Sequence, residues 1–163
     1  MKKQRKKFER PLKPWSVARL EAEHKLKNDY GLRRKREIWR AEAILRGFRR
    51  LARKLVAKKD KKEEQILLNK LETFGLIGKG STLDDVLALT VEKILDHRLQ
   101  TIVLKKGLAN TMQQSRQFIV HGHIAIDSRR VRWPSTLISV DQEGKIDFYN
   151  KSKLKGWVSA KTK

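Results

Sequence analysis

Cations dominate the residues of this chain that could do chemistry. Arg98, Lys105, Lys106 and Arg116 fall on two consecutive helical stretches, and Arg129, Arg130 and Arg132 on a hairpin after them. Upstream, Arg33, Arg34, Arg36, Arg40, Arg49, Arg50 and Arg53 crowd a long helical stretch. Lys2, Lys3, Arg5, Lys6 and Lys7 open the chain. Guanidinium and ammonium groups at this density fit phosphate oxygens, because each contact on a polyanion releases counterions. Like charges stacked on one helix repel, so the arginine helix is costly alone and sensible against phosphates. Gln117, His121 and His123 stand among the downstream cations and join them as candidate contacts.

Other chemistries find little support. His121 and His123 flank Gly122, but a metal would need a third ligand, and His24 and His97 offer no helpful spacing. The run GLIGKGST over 75–82 is not a phosphate loop, since its lysine precedes the last glycine. Glu63-Glu64 and Asp84-Asp85 resemble acid/base pairs, yet both sit in first turns of helices, where acids favour the dipole. No nucleophile elbow is present. The expectation is a protein that is not an enzyme, with no metal, no cofactor and no small-molecule substrate. The absence of cysteine excludes a disulfide framework and thiolate zinc, and gives no support for secretion. No stretch approaches about 18 continuous apolar residues, and the basic opening leads into no apolar signal region, so no membrane segment is expected.

The positions of the charges sharpen this reading. The chain of 163 residues carries +22 overall, with a pI near 10.6. Residues 1–60 hold 22 Lys/Arg and 7 Asp/Glu, a net +15. Residues 61–94 are at −1, and residues 95–163 at +8. The two flanks are thus the polyanion-binding candidates, joined by an ordinary centre. A uniformly supercharged surface would not leave that centre neutral.

The elements that must position these cations follow from periodicity. Residues 1–14, with seven Lys/Arg, Pro11 and Pro14, read as an extended arm, ordered only against a partner. Val17, Leu20, His24 and Asn28 suggest one face of a helix from Ser16 to Asn28. A longer helix runs from Arg33 to Lys58, with Ile38, Ala41, Leu45, Phe48, Ala52 and Leu55 as its buried stripe. Helices are also expected over Glu63–Phe74, with Ile66, Leu67, Lys70 and Leu71 inside, and over Leu83–Ala88, with Thr82 and Asp85 as a capping box. A single helix is expected from Val91 to about Lys106, ended by Gly107, and another from Asn110 or Thr111 to Gly122. The helix starting at Asn110 or Thr111 also offers its first amide groups to a phosphate. The period then shortens to two: His123–Asp127, Arg130–Trp133, Leu137–Val140 and Lys145–Tyr149 read as short strands, with a turn at Asp127-Ser128-Arg129. The fold class is therefore α+β: an N-terminal helical lobe plus a small module of two helices packed on an antiparallel sheet. Its parts are a basic arm over 1–14, a helical lobe over 15–94, the module over 95–149 and a basic tail over 150–163, where five Lys surround Trp157.

Within that module the residues resemble a known family. Arg98-Leu99 with Val103, Gly107-Leu108-Ala109, Ser115-Arg116-Gln117-Phe118-Ile119, His121-Gly122-His123-Ile124, Val131 and Pro134-Ser135 follow the pattern of the small RNA-binding module named after ribosomal small-subunit protein four. Ser115 stands where the family has Ala, and Asp127-Ser128 where Asn-Gly is common, which implies a less tight hairpin. The module also occurs in pseudouridine synthases, tyrosyl-tRNA synthetases and a heat-shock RNA-binding protein. Upstream, Tyr30-Gly31-Leu32-Arg33, Lys35-Arg36-Glu37 and Trp39-Arg40 resemble the N-terminal half of the ribosomal protein itself, in its archaeal and eukaryotic form. The likeness spans roughly residues 11 to 149 and lacks the cysteine zinc knuckle of many bacterial members. It implies a cytoplasmic, ribosome-bound protein that binds small-subunit ribosomal RNA at a multi-helix junction of the 5′ domain. It further implies neighbouring small-subunit proteins as partners, and roles in early assembly and decoding accuracy. Two rival readings share the module: an assembly factor of the small nucleolar particle type, and an RNA-modifying enzyme anchored by it, for which no catalytic domain follows residue 149.

Overall fold

In the computed structural model the described residues are 6–154, and they form an α+β arrangement around two apolar cores. The first core is helical. It is built by α1 (Val17–Asp29), α2 (Lys35–Lys58), α3 (Lys61–Thr73), α4 (Leu83–Ala88) and α5 (Val91–Asp96). Ile38, Ala41, Leu45, Ala52 and Leu55 bury one stripe of α2, with Phe48 half-buried beside them. Leu67, Leu71, Val86, Ile94 and Leu95 close over that stripe. Lys59 ends α2 in the left-handed region, its N–H bonded to the Leu55 carbonyl. Asp85 accepts the Thr82 N–H at 2.8 Å, the reciprocal cap its spacing predicts.

Helix α1 turns a different side inward than its apolar spacing suggested. Val17 is exposed, as is His24, and the buried residue is Glu23. The helix is oriented by polar contacts to that carboxylate: Glu23 pairs with Arg19 at 2.9 Å and Lys35 at 3.2 Å and accepts the Trp39 indole N–H at 2.9 Å. On α3, Ile66 and Lys70 point outward and only Leu67 and Leu71 are buried.

The second core belongs to α6 (Leu99–Lys105), α7 (Met112–His121) and a three-stranded antiparallel sheet. Strands β1 (Ile124–Ile126), β2 (Arg129–Arg130) and β3 (Ile146–Phe148) lie in the order β2-β1-β3, with Ala125 opposite Arg130 and Asp147. Asp127 and Ser128 form a two-residue turn with φ of 51° and 66°, the tight hairpin geometry that Asn-Gly usually supplies. The hairpin is thus tight despite the non-glycine pair.

Three expected elements changed. The stretch from Val91 to Lys106 is two helices, because Arg98 adopts an extended conformation at the N-cap position of α6. Backbone bonds from the 134–138 segment hold that break open: Leu99 donates to the Thr136 carbonyl at 2.9 Å and Ile138 to the His97 carbonyl at 3.1 Å. The same contacts use up the expected strand at Leu137–Val140. It contributes a single bridge, Leu137 to Arg98, and then starts the short helix α8 (Val140–Glu143). The expected strand at Arg130–Trp133 is also shorter: β2 ends at Arg130, and beyond it Val131 donates to the Ile124 carbonyl at 3.1 Å.

Where lobe and module meet, the backbone comes close enough to exclude a side chain. Gly31 has φ +55°, and a Cβ there would lie 2.8 Å from the Met112 Cβ. Gly31→Ala is expected to lower the unfolding free energy by about 2–3 kcal/mol, from left-handed strain plus crowding. Urea denaturation checks this, with the midpoint falling at an unchanged m-value.

Candidate nucleic-acid interface

The first cationic face follows from the geometry of α2. At 3.6 residues per turn, Arg36, Arg40, Arg50 and Lys54 fall opposite the buried stripe, with Arg53 beside them. All five are exposed. Arg49 departs from this set. Its guanidinium is half-buried and donates to the Leu89 carbonyl at 2.6 Å, so it ties α2 to the α4–α5 turn and does not project from the face.

Two concavities flank the start of α2. A groove of about 780 Å³ lies between α2 and the module, lined by Lys7, Arg34, Arg36, Arg40, Arg98 and Arg116 among others. Phe8, Ile44, Pro134 and Leu137 give it apolar walls. A cup of about 560 Å³ opens on the other side, lined by Arg10, Lys27, Arg33, Arg34, Lys35, Arg36 and Trp39. Arg34 and Arg36 border both. The described part of the arm, expected to order only against a partner, rests on α2: Phe8 lies 6.0 Å from Trp39 between ring centroids, and Glu9 reaches Arg46 at 3.6 Å. Lys6 and Lys7 belong to this arm, while Lys2, Lys3 and Arg5 lie outside the described residues.

The module carries the second face. Gly122 ends α7 at φ +76°, and the aliphatic stem of Arg130 and the Nε of Arg132 occupy the space a Cβ there would need. Arg130 then places its guanidinium 4.4 Å from the Tyr149 ring centroid. His121 and His123 stack beside Gly122 at 6.3 Å between centroids, and His123 Nδ1 is 3.0 Å from Ser152 Oγ. The structure thus brings His121, His123, Arg130 and Arg132 together, with Arg129 exposed on the same hairpin. Residues 150–154 are not a loose tail: Leu154 packs on the second core. Trp157 lies outside the described residues.

Several expected contacts are held within the protein. Arg98 is only 5% exposed and turns to Glu37 at 2.6 Å, so it does not stand on either open face. Burial pulls its basicity below the usual arginine range, and the Glu37 carboxylate only partly restores it. Arg116 makes a two-pronged pair with the same carboxylate, at 3.0 and 3.1 Å. Lys105 pairs with Asp96 at 3.6 Å, and Lys106 donates to the Ile146 carbonyl at 3.2 Å, though both remain exposed. Gln117 is exposed on α7. At the start of α7 the first amides are partly taken, since Thr111 Oγ1 accepts the Gln114 N–H at 3.1 Å.

Sequence reasoning passed over Arg10, Lys27, Lys35 and Trp39, which line the cup, and Tyr149, which seats Arg130. The aromatic residue beside a cationic run was the available signal for Trp39. For Tyr149 there was none, because the pairing of β1 with β3 brings it beside the hairpin: its N–H donates to the His123 carbonyl at 2.8 Å. No group of three or more His, Cys, Asp or Glu among the described residues could hold a metal ion, and no described helix is long and apolar enough to cross a membrane.

The family model described as the S4 domain matches residues 97–143. The small ribosomal subunit protein uS4 of Korarchaeum cryptofilum is 44% identical over 156 residues, covering 94% of this chain and 94% of its own length. The protein of the same name from Saccharolobus islandicus (strain L.S.2.15 / Lassen #1) is 48% identical over 159 residues, covering 94% of this chain and 87% of its own. Likeness of that extent runs through the arginine helix as well as the module, and the chain belongs to the family of small ribosomal subunit protein uS4.

Proposed function

We propose that this chain is a structural constituent of the small ribosomal subunit and binds small-subunit rRNA directly at a multi-helix junction of the 5′ domain. One observation carries the reading: two cationic faces, one on α2 and one on the module hairpin, stand on separate cores, and a basic groove lies between α2 and the module. Such faces read phosphate spacing and the shape of folded RNA, with little need for base contacts. Lobe and module each grip one RNA helix, and the joint between them fixes the angle between the helices. A protein that sets a junction angle acts early in assembly, and the same rigidity supports a contribution to decoding accuracy. The names of the relatives support neighbouring small-subunit proteins as further partners and the ribosome as its location.

Sedimentation of mature small subunits after a high-salt wash tests this reading. The chain is expected to stay with the subunit. Its presence on precursors and absence from washed mature subunits would overturn the constituent role in favour of an assembly factor.

A further inference from the structure

Glu37 is the only acid lining the basic groove among the described residues. It sits in the first turn of α2 and its carboxylate is fully committed. Oε2 accepts from Arg98 Nη2 at 2.6 Å and from Arg116 Nη1 at 3.1 Å, and Oε1 accepts from Arg116 Nη2 at 3.0 Å. Those two arginines come from different module helices. Arg98 stands at the N-cap position of α6 and Arg116 lies within α7. One carboxylate of the lobe therefore holds both helices of the module.

The burial of these groups says whom they serve. The Arg98 side chain is 6% exposed and Glu37 18%. Arg98 Nε is buried with no hydrogen-bond partner among the described residues. A desolvated ion pair of this kind adds little net stability, and its best-attested use is to specify one arrangement over others. Burial pushes the Glu37 carboxyl up, but the hydrogen bonds from Arg116 and Arg98 bring it below the usual carboxylate range, so it stays charged. We propose that Glu37 is a positioning residue for RNA binding: its carboxylate locks the angle between lobe and module, and Arg98 and Arg116 serve that joint and not the phosphates.

This inference rests on the rRNA-binding reading and can be tested apart from it. The opposing arrangement makes Arg98 and Arg116 phosphate ligands that Glu37 partly neutralises. The two predict opposite signs for Glu37→Gln, which keeps the shape and removes the charge. The native chain has no cysteine, so spin labels at Asn69→Cys on α3 and Lys151→Cys after β3 report the angle directly. In full-length protein, Glu37→Gln is expected to broaden the label distance distribution. It is also expected to weaken binding to transcribed 5′-domain rRNA about tenfold, as when the competent angle falls to about a tenth of the population. The slope of log affinity against log salt should stay unchanged, because no phosphate contact is lost. Glu37→Asp should recover part of the affinity. Tighter binding with a steeper slope, or an unchanged distance distribution, would overturn the proposal. If Glu37→Gln does not fold, Arg116→Gln serves in its place. It removes the two-pronged arm, and a slope lower by about 0.7–0.9 would return Arg116 to the RNA. A wild-type chain that binds no rRNA would sink the RNA reading, while the label distances would still decide the clamp.

Discussion

Replacing Arg36, Arg40, Arg50 and Arg53 together with alanine is expected to weaken rRNA binding by about 10²–10³ near physiological salt, with the fold intact. Each phosphate contact contributes about 0.7–0.9 to the salt slope, so four lost contacts lower it by about 3. The fold survives because these side chains lie on the solvent side of α2, opposite Ile38, Ala41, Leu45, Ala52 and Leu55. Alanine is also the best helix former, and the substitution relieves repulsion along the helix. Filter binding across a salt series, with circular dichroism as the control, measures both halves. An equal loss of charge at Lys61, Lys62, Lys70 and Lys79, all exposed in the neutral centre, should move the slope far less. If the two quadruple variants behave alike, net charge and not the α2 face governs binding.

The reasons why some parts of this molecule were legible in its sequence are local. The buried stripe of α2 was plain because six apolar residues recur at spacings of three and four over a long helix. The Leu83–Ala88 cap and the Asp127-Ser128 turn were plain because both are set by residues within a few positions of each other. Helix α1 misled because its inward group is a carboxylate: Glu23 is buried only through cations supplied by Arg19 and Lys35 and the indole N–H of Trp39. The break between α5 and α6 was invisible for a related reason. The apolar period continues across it, and the bonds that open it come from residues 134–138. Among the candidate contacts, the exposure of Arg36, Arg40, Arg50 and Arg53 on α2 was readable from type and spacing. The internal partners of Arg49 and Arg98 were not, since a cation looks the same in sequence whether it meets solvent, Leu89 or Glu37.

Gln100 offers the sharpest case of a residue whose work is all long-range. It is 1% exposed on α6, and its amide N–H groups point to the carbonyls of Met112 at 2.9 Å, Tyr30 at 3.2 Å and Gly31 at 3.3 Å. Its Oε1 lies 3.4 Å from Arg116 Nη1, so it borders the Glu37 clamp. The carbonyls of Tyr30 and Gly31 belong to the α1–α2 turn and that of Met112 to α7, so a single amide joins lobe to module. Gln100→Ala is expected to cost about 3–5 kcal/mol of unfolding free energy, from a cavity together with buried carbonyls left without a donor. Gln100→Met separates the two causes: it nearly refills the space and supplies no donor, so about 2–3 kcal/mol should remain lost. Thermal and urea unfolding measure both variants. A Gln100→Met protein within about 0.5 kcal/mol of the native one would mean the carbonyls find water instead, and the joint would then rest on packing and on Glu37 alone. With the donor gone, the Gly31–Met112 approach loses its reason to be so close. The label distances between α3 and the tail should therefore broaden in Gln100→Met as is expected for Glu37→Gln, since both side chains join lobe to module and meet at Arg116 Nη1.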